Sequence, residues 1–487
     1  MIASPATRSC SQSPRSATTA ARFARIVDVA CPRSGRSWES ARASRAAAPG
    51  KRKGRWRSRP PARRIRGVTT ETRTRPPLRQ VLALGGLSMF GPLSMDLYLP
   101  GLPALTDDLH TTEATGQLTM SLCMVGLAVG QLVAGPLSDR RGRRLPLLVG
   151  VALFAVTSLA CAFAPSIEVL LVLRLLGGLA GAVGIVVARA MVRDQWEGRA
   201  AARVFALLMV VSGAAPVLAP VIGSQLLRVT DWRGVFVVLA GIGLVLLVAA
   251  FTLPETLPPA RRCTGGARNT LRALGTVARD RSFLAPAAVL ALGCCSMFVY
   301  IAMGSFVLQA DGYGLSPQLY GIVFAVNATG IVLAGRVSAW LVDRVGPRRL
   351  LGAAVVAALA AALVLVAGVL LTRSVWAVLP PLFVIVGAVG MIMPNATALA
   401  MSGQATSAGA ASALLGLGQF LTGALIPPAA SAGGVTPLVM AVTMAGTAAA
   451  AVLLAVPVLR SRDPDPGPPR DGPPRDETPP GTPPGSP

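Results

Sequence analysis

From Ser374 to Leu459 the chain runs for 86 residues without one Asp, Glu, Lys, Arg or His. About a quarter of the residues in a soluble domain are charged, so this stretch offers water no polar face. It is long enough for three crossings of a ~30 Å hydrocarbon layer at roughly 20 residues each. Turns are expected at Ser402-Gly403-Gln404 and Ala432-Gly433-Gly434. Shorter charge-free runs cover Leu145–Ile167, Gly234–Pro254, Ser282–Ala310, Gly312–Gly335 and Leu350–Thr372. Together they predict helices near 79–100, 115–136, 145–164, 167–189, 204–227, 233–253, 283–308, 317–340, 349–371, 375–400, 407–430 and 436–459. These segments are apolar all round and rich in Gly and Ala, unlike the one-sided helices of a soluble enzyme. They lack the period-2 alternation of a membrane β-barrel. The expected fold class is an all-α polytopic membrane protein with twelve transmembrane helices.

The net charge of +25 suggests nucleic acid until it is located. Residues 1–77 carry +16, the last 27 residues −2, and the oily body between them +11. The head is Arg-, Ser- and Ala-rich and has no apolar period; both lysines, Lys51 and Lys53, lie in it. A transit peptide or a nucleic-acid arm has this composition. So does an upstream reading frame translated from an early start codon, which is the favoured reading, with the start expected near Val68. The tail 461–487 holds 11 prolines and reads as a disordered segment. The expected organisation is a basic head over 1–77, a six-helix half over 78–254, a basic linker over 255–281, a second half over 282–460, and the tail. No nucleic-acid partner is expected.

Basic residues in short loops set orientation. Sixteen arginines follow even-numbered spans, among them Arg140–Arg144 and Arg344–Arg349, against Arg228, Arg233 and Arg373 on the other side. Both termini are therefore expected in the cytoplasm, and the protein in the cytoplasmic membrane. The seven cysteines show no C-x-x-C spacing, and His110 is the one histidine. That leaves no basis for a metal site, a Ser–His or Cys–His catalytic pair, or a cofactor, so an enzyme is not expected.

An internal repeat carries the most specific motif. The loop after the second span reads Gly135-Pro-Leu-Ser-Asp139-Arg140-Arg-Gly142-Arg143-Arg144; the loop after the eighth reads Asp343-Arg344-Val-Gly346-Pro-Arg348-Arg349. Asp-Arg-x-Gly recurs at an offset of 204 residues, which implies two parallel six-helix repeats, a transporter architecture. The glycines permit a tight turn. The aspartate is expected at a helix N-terminus, paired with an arginine. Gly135, Asp139, Arg140, Gly142 and Arg143, with Asp343, Arg344 and Gly346, are candidates for a latch between the halves.

On these residues the chain resembles the major facilitator superfamily over 78–460. Asp96-Leu-Tyr98-Leu-Pro100, Ala188-Arg189-Ala190, Ala215-Pro216-Val-Leu-Ala219-Pro220-Val-Ile-Gly223 and Asp231-Trp232-Arg233 are similar to its Bcr/CflA subgroup. The resemblance implies the major facilitator fold and proton-coupled export of drugs of the bicyclomycin and chloramphenicol/florfenicol type. The family's glutamine on the fourth span is missing from Arg174-Leu-Leu-Gly177-Gly178, and its fifth-span Gly-Pro motif is altered around Pro216, Pro220 and Gly223, whose small residues still suit close packing.

Ionisable groups inside a bilayer are costly and mark function. Asp96 lies deep in the first span, with Gly91 and Pro92 a turn earlier to weaken the helix. With Arg174 as its modulator, it is the candidate for proton coupling. Tyr98, Tyr300, Asn327, Asn395 and Gln419 are candidates to line a substrate cavity. The expected activity is proton-driven antiport of small amphipathic toxicants by alternating access, in a monomer whose partners are substrate, protons and the lipid bilayer. Two alternatives remain open at this point: export of one endogenous metabolite or self-made antibiotic, and a non-transporting sensor or scaffold.

Overall fold

The computed structural model describes residues 77–460 apart from 197, 263–266, 311–312, 373 and 405–406. The expectations for the head, for the tail and for Arg373 therefore lie outside the described residues. Between these limits the chain is helical: α1 (Leu78–Ser88), α2 (Phe90–Asp96), α3 (Leu102–Asp108), α4 (Glu113–Arg141), α5 (Arg144–Ala162), α6 (Ile167–Gln195), α7 (Gly198–Leu226) and α8 (Trp232–Phe251) form the first half. A short amphipathic helix, α9 (Ala267–Val277), lies in the linker. The second half comprises α10 (Arg281–Gln309), α11 (Pro317–Val345), α12 (Pro347–Leu371), α13 (Leu379–Met401), α14 (Ala408–Ala430) and α15 (Pro437–Arg460).

Ten of these are long and apolar enough to cross a membrane on their own. The first span is not the single rod expected over 79–100. It breaks at Met89, bends by 43°, and passes through a 3-10 turn at Leu99–Gly101 before α3. Gly91 and Pro92 just past the break explain why it cannot run straight. The remaining long helix is the 29-residue α7, fifth in order of the spans, which carries Pro216 and Pro220 inside it and an apolar stretch over Gly213–Leu226. Large apolar side chains face outward, among them Val149, Val156, Leu363 and Leu453, the last 71% exposed. Such a surface suits hydrocarbon and not water.

Caps place the turns. Thr112, Asp231, Asp280 and Ser316 each accept a bond from a backbone N–H in the first turn that follows. The repeat shows in the turns after α4 and α11, where Gly142 and Gly346 take φ of +90° and +84°. A left-handed backbone favours glycine, so the two glycines 204 residues apart serve one turn geometry in each half.

The halves meet along α4 with α14 and along α7 with α11. Three hydrogen bonds join them at the end away from the Gly142 and Gly346 turns. Gln309 Nε2 donates to the Pro100 carbonyl at 3.3 Å, Gln318 Nε2 to the Ser224 carbonyl at 3.2 Å, and Ser431 Oγ to Gln117 Oε1 at 2.9 Å. There Gly321 of α11 lies against the Pro220 carbonyl and Ser224 of α7, and Gly223 lies against the Leu97 carbonyl at the end of α2. These contacts hold the halves together at the end opposite the arginine-rich loops.

Candidate functional site

Near the end of α2, where the first span passes from α-helix towards the 3-10 turn, a buried cation takes the Ser94 carbonyl. The Arg174 guanidinium, 3% exposed on α6, donates to the Ser94 carbonyl at 2.7 Å, to Ser94 Oγ at 3.2 Å and to the Thr119 carbonyl at 3.3 Å. Its carbon lies 4.5 Å from the Tyr98 ring centre and 5.6 Å from that of Phe236. Arg174 therefore ties α2, α4 and α6 together and stacks on aromatic faces that favour a cation. Gly177 stands where the family pattern has its glutamine, and the following Gly178 packs against the Cys123 carbonyl of α4.

Asp96 ends α2 and is buried, 4% exposed. Arg174 is committed to Ser94 and Thr119 and makes no salt bridge with it in this conformation. No described residue donates a hydrogen bond to its carboxylate. From the other half, Tyr320 lies within electrostatic range of Asp96.

The cavity candidates divide. Tyr98 shares a 2.9 Å hydrogen bond with Thr119 beneath Arg174. Asn395 donates to Ser338 Oγ and to the Met391 carbonyl, both at 2.7 Å, and clasps α13 to α11. Gln419 donates to Cys294 Sγ at 3.1 Å, between α14 and α10. All three are spent on packing. Tyr300 and Asn327 are not: the Tyr300 hydroxyl and Asn327 Nδ2 are buried without a partner of good geometry, although the two side chains are neighbours. Tyr320, absent from the sequence candidates, has a third buried, unpartnered hydroxyl. Phe324 connects them, stacked on Tyr300 at 5.4 Å and edge-on to Tyr320 at 6.2 Å. Residues 320, 324 and 327 form one stripe of a helix, the signal that would have found Tyr320.

At the arginine-rich end the centre is Arg143. Its Nε donates to Asp194 at 2.8 Å and its Nη1 to Asp139 at 2.5 Å and Ser138 at 2.8 Å. Burial opposes its charge, and the bonds to Asp194 and Asp139 outweigh burial, so the guanidinium holds its proton more firmly than usual. Contrary to expectation, Asp139 is not at a helix N-terminus; it stands in the last turn of α4. Glu255 takes that role for α5. It accepts from the Arg143 and Arg144 backbone N–H groups at 2.9 and 3.2 Å, where the macrodipole favours an anion. Burial raises the Glu255 carboxyl, but the N–H groups of Leu257, Arg143 and Arg144 and the charge of Arg262 hold it below the usual range. A side chain on Gly142 would strike the Glu255 carboxylate. Thr256 then donates to Asp194 at 3.1 Å. The start of the linker is fastened to the latch candidates of the first half.

The second-half loop lacks this cluster. Asp343 is exposed, with no basic side chain in salt-bridge range among the described residues, and Arg344 sits over the Trp340 ring at 5.1 Å. The position matching Arg143 is Pro347, which has neither a charge nor a backbone N–H. Gly135 has open space where a side chain would project.

A family model described as Major Facilitator Superfamily matches residues 84–428. The chain belongs to that superfamily. Among its relatives is YdgK of Bacillus subtilis, described as an uncharacterized MFS-type transporter, 36% identical over 368 residues, which are 75% of this chain and 91% of that one. A bicyclomycin resistance protein homolog of Haemophilus influenzae is 28% identical over 71% of this chain and 87% of its own length. The multidrug resistance protein MdtL of Klebsiella pneumoniae is 32% identical over 51% and 63%. The crystal structure of the nucleoside transporter NupG matches with a TM-score of 0.63 at 14% identity, covering 77% of this chain and 97% of that one. An inward-facing bacterial homolog of the lysosomal transporter Spinster matches at 0.57, 16% identity, over 78% and 93%. These two share the major facilitator fold: all-α, polytopic, two six-helix halves. The Bcr/CflA resemblance read from the motifs has its counterpart in the resistance proteins among the relatives, and the chain is a multi-pass membrane transporter.

Proposed function

We propose that this transporter is a proton-driven antiporter that exports small amphipathic toxicants across the cytoplasmic membrane as a monomer. On this reading the arginine-rich end and both termini face the cytoplasm, and Gln309, Gln318 and Ser431 join the halves near the outer end. The observation that carries the reading is Asp96, a buried carboxyl at the end of α2 in the first span, with no hydrogen-bond donor among the described residues of its own half. A carboxyl so placed changes protonation when its surroundings alternate between wet and dry. Arg174 holds the backbone near the end of α2 that positions Asp96, and through Ser94 it modulates that position.

The boundaries 78–254, 255–281 and 282–460 are proposed as the moving half, its linker and the second half. The Asp139–Arg143–Asp194 cluster, with Glu255, is proposed as the part of the first half that bears on the second when the outer end opens. The relatives named for drug and bicyclomycin resistance support the toxicant reading. A resistance profile in a drug-sensitive host tests it. Protection against several unrelated amphipathic compounds is expected; protection against none, with one metabolite gathering outside the cell, would overturn it.

A further inference from the structure

Three polar atoms on two neighbouring helices of the second half are buried without a partner of good geometry. Two of them, on Tyr300 and Asn327, belong to side chains that face each other, and both tyrosines contact one ring, Phe324. The Tyr300 hydroxyl belongs to α10, and the Tyr320 hydroxyl and Asn327 Nδ2 to α11. Their residues are 1%, 0% and 3% exposed. Buried donors are almost always satisfied, and three together in a native protein call for a reason. The cluster is built rather than accidental. One turn after Tyr300, Gly304 lacks the side chain that would strike its ring, so that ring can lie along α10 and stack on Phe324. Tyr320 and Asn327 stand on the same stripe of α11, on either side of Phe324.

The level in the membrane also fits. Along α11, at 1.5 Å per residue, Tyr320 is roughly 5 Å and Asn327 roughly 15 Å in from the start of the helix. The group thus starts level with the Ser224–Gln318 and Gly321 contacts that join the halves and runs inward from them. Across from it is the first half, with Asp96 within electrostatic range of Tyr320. No Lys, Arg, Asp or Glu occurs on α10 between Arg281 and Gln309, and on α11 none precedes Arg336. The second half therefore presents donors and a flat apolar floor, without charge.

We propose that Tyr300, Tyr320 and Asn327 form a donor cradle that reads hydrogen-bond acceptors on a planar, neutral aromatic ligand lying against the Tyr300–Phe324 stack. A carbonyl or ether oxygen on such a ligand satisfies the hydroxyl and amide hydrogens, while its ring covers the floor. A bulky cation without acceptors leaves the donors unmet and gains nothing from this wall. The inference rests on the export reading and narrows it to a substrate class on the second-half wall.

The test uses the purified full-length protein in lipid nanodiscs and two probes. One is 7-methoxycoumarin, neutral, planar and rich in acceptors; the other is tetraphenylphosphonium, aromatic and cationic, with no acceptor. Tyr300→Phe and Tyr320→Phe remove the hydroxyls and keep the rings, and Asn327→Leu removes the amide. Each is expected to weaken coumarin binding about three- to tenfold, the worth of one neutral hydrogen bond, and to leave tetraphenylphosphonium binding within about twofold. Thermal melting of each variant checks its folding. Equal losses for both probes would make the cluster a packing element, and unchanged coumarin binding would mean that water satisfies the donors; either overturns the proposal, as does a wild type that binds only the cation. Coumarin binding that follows the donors in a protein conferring no resistance would instead overturn the exporter reading and leave the cradle standing.

Discussion

Arg143 is served by two carboxylates of unequal worth, and the difference can be measured. Its side chain is 8% exposed; that of Asp194 is 14% exposed and that of Asp139 46%. An ion pair with one partner half in water contributes about 0.2–1 kcal/mol. A charge-assisted bond to a buried cation contributes about 1.5–3 kcal/mol, and Asp194 also receives Thr256 from the linker. Asp139→Asn should therefore speed amide exchange in the turn around Gly142 by roughly two- to fivefold. Asp194→Asn should speed it by roughly ten- to a hundredfold. Hydrogen–deuterium exchange with mass spectrometry, on protein in nanodiscs, reads both in one experiment. The Asp-Arg-x-Gly repeat draws attention to Asp139, whereas the geometry ranks Asp194 above it. Faster exchange in the Asp139 variant than in the Asp194 variant would refute that ranking and the packing argument behind it.

Two further predictions concern neighbours of that cluster and of the first-span break. Glu255→Gln should loosen the Arg143–Arg144 turn. Because the folded carboxyl is held below its usual range, the wild-type fastening is fully present above about pH 4.3. It is lost as pH falls through the lower folded value, and the variant's exchange, with no carboxyl to titrate, should lack that acid step. Gly223→Ala drives a methyl into the Leu97 carbonyl and should cost about 1–3 kcal/mol through overpacking, seen as a lower melting temperature and weakened transport. Gly213→Ala, on the same helix with open space around it, should change neither.

The helices are legible in the sequence because apolar length in a charge-free chain has few other outcomes. The Gly142 and Gly346 turns are legible because a left-handed backbone leaves a glycine in each repeat. What the sequence hides is pairing between distant segments. Glu255 reads as one more linker acid, and only folding brings it to the α5 N-terminus, 112 residues back. Arg174 and Asp96 share a half and opposite charge, yet the Ser94 carbonyl near the end of α2 offers the arginine a partner. Polar residues such as Asn395 and Gln419 look identical in sequence whether their bonds are spent between helices or left open. Tyr320 escapes notice because a sequence does not show which buried hydroxyls lack a partner.

The central claim is that Asp96 carries the proton, and proton flux itself is the most direct test. Proteoliposomes holding wild type or Asp96→Asn, with a pH-sensitive dye inside and an imposed pH gradient, are challenged with a compound against which the protein confers resistance. Wild type should release protons on adding the compound and concentrate the compound against its gradient. The variant should bind the compound with little change, yet show neither proton release nor uphill transport. A variant that still couples the two as wild type does would contradict the account and place the coupling group elsewhere.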